Sequence, residues 1–375
     1  MLVCWLGQLT IYQRLDCTVG AAGMALAAVK PPSYMELFER NLGVLTEKDQ
    51  ERVREARVMI VGVGGMGGAL AILLARTGFT RFLIVDPEVY EASNMNRQIC
   101  CFIDTLGKPK VEVLKQEILR INPEAEVSVL QKALSLEEVK QLIVEWKPDV
   151  VAAEADDVAY SAKVIRIATQ MGIYAITGMP SGLMGYVMAF PPFTKHTPEG
   201  LFGLPENLSY KELHDTVETW ENRCGRRWYI HKGKWRVPYW DEWRYGKRPV
   251  TQLAPMVWFT ACVTAIEILK YIVGKWKLIT APHVWLLDPA DGKIKVRKYA
   301  EGRLFNKYAL KAFSIKPFDI GRRWRRAALK ILSYQLKMWE RKQLKEDAEA
   351  ERRYQERLRA KEEGLKKSLH EISEK

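Results

Sequence analysis

The sequence has no stretch of eighteen or more uncharged apolar residues, so no membrane span is expected. Its first thirty residues are poor in charge, yet no basic start leads into an unbroken apolar core, and a secretory signal is not expected either. Cysteine is sparse: Cys4, Cys17, Cys100, Cys101, Cys224 and Cys262 show no regular spacing in a chain of 375 residues. That argues against a disulfide framework and for a reducing, cytoplasmic setting. Internal repeats are absent, and the only biased tract is the charged C-terminal end. Residues 1–34 read as a poorly structured tail, or as translation from an upstream start with Met35 as the true beginning.

What is present suffices for a real core. The 48% hydrophobic content is ordinary for a globular protein, and the length allows one large domain or two smaller ones. The net charge of +13 is uneven, because residues 321–375 hold 17 Lys and Arg against 10 Asp and Glu. Such a balance suits an acidic partner, a nucleic acid or only a solvated surface.

The chain is organised around residues 58–86. An apolar run (Val58, Met59, Ile60, Val61) meets Gly62-Val63-Gly64-Gly65-Met66-Gly67-Gly68; an apolar helical stretch follows, then Phe82-Leu83-Ile84-Val85 and Asp86. This is strand, glycine turn, helix, strand, acid: one mononucleotide-binding unit. Glycine lets the backbone turn sharply and approach a phosphate with no Cβ in the way. The helix that starts there offers unpaired N–H groups to an anion, and Asp86 stands where a carboxylate accepts hydrogen bonds from ribose hydroxyls.

Helix is predicted over residues 35–57, 108–121, 134–146, 158–171 and 254–273, and strand over 126–130, 149–153 and 173–177. The alternation predicts an α/β fold, a Rossmann-like doubly wound, mostly parallel sheet with its core in residues 57–177. Residues 185–190 read as an antiparallel extension, as do 284–288 and 294–298 around Pro289-Ala290-Asp291-Gly292-Lys293. A long charged C-terminal helix is expected over 322–375, its apolar positions Trp324, Ala328, Ile331, Tyr334 and Met338, with Glu349/Arg353 among its i,i+4 pairs. The domain reading is a tail over 1–34, a catalytic domain over 35–305 with an insertion over 190–250, and a basic helical extension over 306–375.

Five pieces in order carry a resemblance: the glycine loop, Asp86, Ser93-Asn94-Met95-Asn96-Arg97-Gln98, Gly107-Lys108-Pro109-Lys110-Val111, and Ala155-Asp156-Asp157. Together they resemble the ThiF/MoeB/HesA adenylyltransferases, relatives of ubiquitin-activating enzymes. The resemblance implies an enzyme that uses ATP and Mg²⁺ to turn a carboxylate into an acyl-adenylate with release of pyrophosphate. Such chemistry spreads charge over phosphate oxygens, so fixed cations must be aimed at them. By the resemblance, Gly62, Gly64, Gly65 and Gly67 cradle the nucleotide and Asp86 holds its ribose. Asn94, Arg97 and Lys110 contact the phosphates, with Lys108 as the rival of Lys110. Asp156 holds Mg²⁺, with Asp157 as its rival, and Asn96 is a second contact or a turn former. Arg40, in Phe38-Glu39-Arg40, corresponds to an arginine that reaches the neighbouring subunit's site, which implies a homodimer.

Two departures matter. Many relatives bind zinc through two Cys-x-x-Cys pairs, and this sequence has none, so zinc is not expected. Several relatives use a cysteine nucleophile after the sheet; Cys224, flanked by Arg223, Arg226 and Arg227, is the candidate here, or else a passive thiol. Cys100 and Cys101 read as packing residues under the site. Residues 220–248 set five tryptophans (220, 228, 235, 240 and 243) among nine Lys and Arg. Aromatic faces amid positive charge suit single-stranded nucleic acid, a clamp on a protein substrate's tail, or an ordinary packed insertion. The expected partner is a small ubiquitin-like or sulfur-carrier protein, with tRNA as the alternative. An NAD-dependent dehydrogenase would share the glycine loop and Asp86 but gives no reason for Arg97, Lys110 and Asp156. A nucleotide-binding scaffold without turnover remains the non-enzymatic alternative.

Overall fold

The computed structural model describes residues 32–202, 206–218, 228–298 and 319–373. In it the two apolar runs beside the glycine turn are adjacent parallel strands, β1 (Arg57–Val61) and β2 (Arg81–Val85), paired Arg57 to Arg81 through Val61 to Val85. Successive side chains of a strand point to opposite faces, so each run feeds two cores. Val58, Ile60, Phe82 and Ile84 enter one layer, and Met59, Val61, Leu83 and Val85 enter the other. That is why these strands read as unbroken apolar runs.

The sheet has eight strands in the order β3-β2-β1-β4-β5-β6-β7-β8. β3 (Glu126–Leu130), β4 (Val150–Ala153) and β5 (Tyr174–Ser181) run parallel to β1 and β2. β6 (Met184–Phe190), β7 (His283–Asp288) and β8 (Lys293–Lys298) extend it antiparallel, with Gly292 in the left-handed region (φ 64°) at the last hairpin. The expected architecture, mostly parallel with an antiparallel extension and a long C-terminal helix, is the observed one.

The N-terminal region departs from expectation. One helix over 35–57 is instead α1 (Tyr34–Phe38) and α2 (Glu47–Glu55). Gly43 takes φ 103°, and Thr46 starts α2 through a capping box with Asp49. Close packing divides the chain into a short unit ending at Glu39 and a body from Arg40 onward, and the body holds every strand of the sheet. α3 (Gly65–Thr77), α4 (Lys110–Ile121) and α11 (Ala254–Val273) pack on one side of the sheet, α5 (Leu136–Trp146) and α6 (Val158–Gln170) on the other. α11 is long and apolar enough to cross a membrane by length and composition, but it lies against α3, β5 and β6 as a core helix. Its buried Glu267 accepts hydrogen bonds from Lys270 Nζ (2.5 Å), the Trp285 indole (2.8 Å) and the Ile279 amide (3.1 Å), so the charge is compensated.

Between β6 and α11 lie α7 (Pro198–Phe202), α8 (Tyr210–Glu218), α9 (Trp228–His231) and α10 (Val237–Arg244). The first two are strapped to α6. The buried Glu199 carboxylate accepts from Lys163 Nζ (3.0 Å) and Arg166 Nε (3.2 Å), and Lys163 also donates to the Leu208 carbonyl (2.8 Å). The last two form a separate small core with the C-terminal helix α12 (Asp319–Ser373). There Trp235, Trp240 and Trp243 are buried with Leu332, flanked by Leu336 and Trp339. Gln343 donates to the Trp235 carbonyl (2.7 Å) and accepts from the Val237 amide (3.1 Å), while Arg236 grips Asp347 with both terminal nitrogens.

Of the three readings of the tryptophans, the packed insertion is the one that Trp235, Trp240 and Trp243 follow, buried against α12; Trp220 and the Trp228 side chain lie outside the described residues. The apolar stripe of α12 differs from the expected one. Leu332, Leu336 and Trp339 face the insertion, whereas Ile331, Tyr334 and Met338 are exposed. Among the described residues the ion pairs within α12 are Lys342–Glu346 and Arg352–Glu356, and Glu349–Arg353 is not one of them; the side chains of residues 360–373 lie outside the described ones.

Cutting Leu332 to alanine removes buried contact and should cost about 2–4 kcal/mol locally. Arg236→Ala breaks only an exposed ion pair and should cost less than about 1 kcal/mol. Amide hydrogen exchange over residues 228–244 reads both variants; equal effects would refute the packing assignment.

Candidate active site

β1 lies between β2 and β4, the point where strand order reverses, and a crevice opens there beyond the C-terminal ends of the strands. Its shape depends on glycine at two positions. Gly62 has φ 91°, and a Cβ there would lie 2.6 Å from the Ala155 backbone nitrogen. A Cβ on Gly67 would lie 1.9 Å from the Gly62 carbonyl oxygen, so only glycine lets α3 begin directly above the turn. Gly64 caps α3 with no side-chain hydrogen bond, and the nearest atom to a Cβ there is 3.6 Å away. The first-turn N–H groups therefore open into a cleft of about 320 Å³ whose wall includes Gly65, Arg97, Glu154, Asp156, Trp243 and Arg248.

The two neighbouring acids after β4 have separate tasks. Asp157 caps α6: Oδ1 accepts from the Ala159 and Tyr160 amides (2.8 and 3.0 Å), and Oδ2 accepts from the Tyr210 hydroxyl (2.7 Å) and faces His214 Nδ1 (2.9 Å). Asp156 is exposed on the cleft and meets none of these groups. Asp157 is thus spent on capping α6 and holding α8, and Asp156 is the carboxylate of the two that is left open on the cleft.

Arg97 lines the same cleft, with its side chain beside Gly65 at the start of α3. Its Nη1 donates to the Ser93 carbonyl (2.9 Å) and to Asn96 Oδ1 (3.0 Å), while its buried Nε has no partner. The neighbouring Gln98 Oε1 is likewise buried without a partner. α11 holds this turn in place, because the Trp258 indole donates to the Arg97 carbonyl (2.9 Å). Asn96 donates to the Gln252 carbonyl (3.1 Å), so its amide ties the turn to the far wall. Asn94 is buried and accepts from the Glu91 amide (3.1 Å), a turn former in this structure.

Asp86 and Lys110 lie outside that lining set. Asp86 is buried and accepts from the Val63 and Glu88 amides (2.8 and 2.9 Å). Burial raises its carboxyl above the usual range, offset by those two amides and by the Lys110 charge. Lys110 opens α4 and is 2% exposed; its Nζ contacts the mostly exposed Glu88 carboxylate at 2.5 Å. The charges of Lys110 and Arg97 both reach the Cys101 thiol, where they offset a rise caused by burial. Cys100 is pushed up to about 12, chiefly by burial, and both thiols are packed as expected under the site. Arg40 is exposed and does not line the cleft, and Cys224 lies outside the described residues.

Sequence reasoning missed Glu154. It is buried at the end of β4, on the cleft wall, and both its oxygens accept from the Gly178 amide at 3.1 Å. Burial lifts its carboxyl well above the ordinary 4.5, and the single amide only partly opposes this. Its one signal was an acid directly after the apolar run 150–153.

The donors fit an anion with a divalent ion. An uncapped helix start and an unpartnered buried guanidinium nitrogen suit phosphate oxygens. Among the described residues no group of three His, Cys, Asp or Glu side chains is placed to hold a metal, but Mg²⁺ is usually held by one or two carboxylates plus substrate phosphates, and the open Asp156 carboxylate fits that arrangement.

The ThiF family model matches residues 38–304, and the chain belongs to that family. It is 33% identical over 142 residues to a tRNA threonylcarbamoyladenosine dehydratase of Bacillus subtilis, 38% of this chain and 56% of that protein. It is 27% identical over 143 residues to the sulfur carrier protein ThiS adenylyltransferase of Escherichia coli, again 38% and 56%. The chain thus matches little more than half the length of these relatives. The crystal structure of E. coli MccB with MccA-N7isoASN has a similar fold, with a TM-score of 0.51 and 18% identity over 67% of this chain and 66% of that one.

Asp157→Ala should cost about 1–3 kcal/mol in urea unfolding, since it orphans cap and strap donors, while Asp156→Ala should cost less than about 0.5 kcal/mol. The reverse order would exchange their roles. Glu154 yields a pH dependence. Its folded carboxyl holds a proton more tightly than the unfolded one, so its contribution is intact below about 4.5 and is lost as pH rises toward the folded value. Glu154→Gln should therefore melt higher than the parent at pH 8 and equal to it at pH 4; a gap that does not grow with pH would contradict the assignment.

Proposed function

We propose that this ThiF-family chain is an ATP-dependent adenylyltransferase. A substrate carboxylate oxygen bonds to the α-phosphorus of ATP, the bond to the bridging oxygen breaks, and pyrophosphate leaves with that electron pair. The observation that carries the reading is the presence of Arg97 and Asp156 on one cleft with the uncapped start of α3, while Asp157 is committed to structure. Arg97 and the first-turn amides stabilise negative charge on the phosphate oxygens. Lys110 contributes after releasing the exposed Glu88 carboxylate. Asp86 keeps a spare lone pair on each oxygen for ribose hydroxyls. Asp156 holds Mg²⁺, which when bound adds positive charge to the phosphates.

The acyl substrate is the C-terminal carboxylate of a small ubiquitin-like or sulfur-carrier protein, a reading supported by the relative that adenylylates ThiS. A second reading, the threonylcarbamoyl carboxylate on tRNA, is supported by the 33% identity to the dehydratase. Both present a carboxylate to the same phosphorus. The enzyme acts in the cytoplasm as a homodimer, with Arg40 completing the partner's site.

ATP–pyrophosphate exchange tests this, run with a ThiS-type carrier protein and with unfractionated tRNA. Exchange is expected with one of them, and Arg97→Ala or Asp156→Asn should each lower it at least about 100-fold with the fold intact. Exchange with neither would favour a scaffold, and full activity in either variant would remove the site assignment.

A further inference from the structure

Adenylation brings two anions together, so positive charge is needed on the carboxylate's side of the cleft as well as on the phosphate's. The charged side chains on the wall are Arg97, Glu154, Asp156, Glu218 and Arg248. Arg97 and the start of α3 belong to the phosphate side. Glu154 is turned onto the Gly178 amide, and Asp156 faces the metal in the proposed reaction. Arg248 is then the one remaining cation among the described lining residues, on a wall otherwise carrying acids.

Arg248 is held in a way that leaves its charge usable. It follows α10 on a segment fixed at its far end, where Gly182 donates to the Thr251 carbonyl (2.8 Å) and Asn96 donates to the Gln252 carbonyl (3.1 Å). Its guanidinium lies 4.2 Å over the Tyr239 ring, and its direct partner among the described residues is the half-exposed Glu242 carboxylate, an ion pair through Nη1 at 3.3 Å that an incoming carboxylate can displace. A guanidinium carries five N–H donors in a fork that matches a carboxylate. The aromatic platform sets the plane of that fork and leaves most of its donors unspent. Pro249 and Val250 follow it in the chain, and they line the cleft together with Met179, Pro180 and other uncharged groups. Such a passage suits a narrow, uncharged tail that ends in a carboxylate.

We infer that Arg248 is a specificity-determining residue, the receptor that takes up the acyl substrate's carboxylate before it reaches the α-phosphate. This deepens the adenylyltransferase reading and rests on it. The receptor selects a free carboxylate over an amide or ester, and a short unbranched end over a charged one. It acts on acyl-substrate binding and not on ATP binding.

Calorimetry on the full chain tests it, with the non-hydrolysable analogue AMPCPP bound and a peptide ending in Gly-Gly as the probe, as the free carboxylate and as its C-terminal amide. The carboxylate is expected to bind and the amide to bind at least tenfold more weakly. Arg248→Gln should weaken the carboxylate about 10- to 100-fold, the loss of one charge-assisted pair, and leave AMPCPP affinity within twofold. Arg248→Lys should recover part of the loss, and Tyr239→Ala should fall between the parent and Arg248→Gln. Equal binding of carboxylate and amide, or an unchanged affinity in Arg248→Gln, would overturn the assignment while adenylation stands. Failure of AMPCPP to bind the parent would remove the adenylation reading beneath it.

Discussion

Two stretches of backbone pass at the mouth of this sheet with no room between them for a methyl group. The turn after β1 rests on the turn after β4 at Gly62 and Ala155, and α3 sits over the first turn because Gly67 lies against the Gly62 carbonyl. Interiors are close-packed and do not yield easily, so a side chain at either glycine would part these elements. Their contact holds the open end of a helix and an exposed carboxylate on one crevice. It also puts Arg97 within reach, since the 91–98 turn is pinned to α11 through Trp258. The cations and the acid are placed by packing that involves neither.

Around the crevice, polar groups sort by whether the protein itself satisfies them. Asp157 has four partners, Asn94 is engaged within its own turn, Asn96 donates to the distant Gln252 carbonyl, and Glu154 lies on an amide. Arg97 Nε and Gln98 Oε1 are buried without one. A buried donor or acceptor left unpaired is costly, so it is tolerated where a ligand supplies the partner. Lys110 is an intermediate case: its amine is buried, but its partner Glu88 is largely in solvent and can leave.

The sheet was legible because both of its signals are local. Apolar runs of four or five residues mark strands buried on two faces, and glycine-rich or capped turns separate them from periodic helices. α11 was bounded correctly at both ends. The choice between Asp156 and Asp157 was only half legible, because the hydroxyl and imidazole that claim Asp157 come from residues more than fifty positions away. Glu154 was hidden for the same reason: its environment is made by β5 and not by its neighbours. The stripe of α12 could not be read at all from its own sequence. Ile331, Tyr334 and Met338 are as apolar as Leu332, Leu336 and Trp339, and only the insertion's tryptophans decide which set is buried.

That last dependence bears on the substrate. α12 lies beyond the matched family region, which ends at residue 304, yet it completes the core of the segment that carries Trp243 to the cleft wall. α10 is too short to bury Trp240 and Trp243 by itself, so this part of the cleft wall owes its shape to a helix from outside the matched region. In the proposed reaction the phosphates meet elements of the matched region alone, whereas the wall that carries Trp243 is packed jointly with α12. A proposal about which acyl group this chain takes therefore has to start from residues 228–250 and α12 together, because the matched region does not by itself fix the shape of that wall.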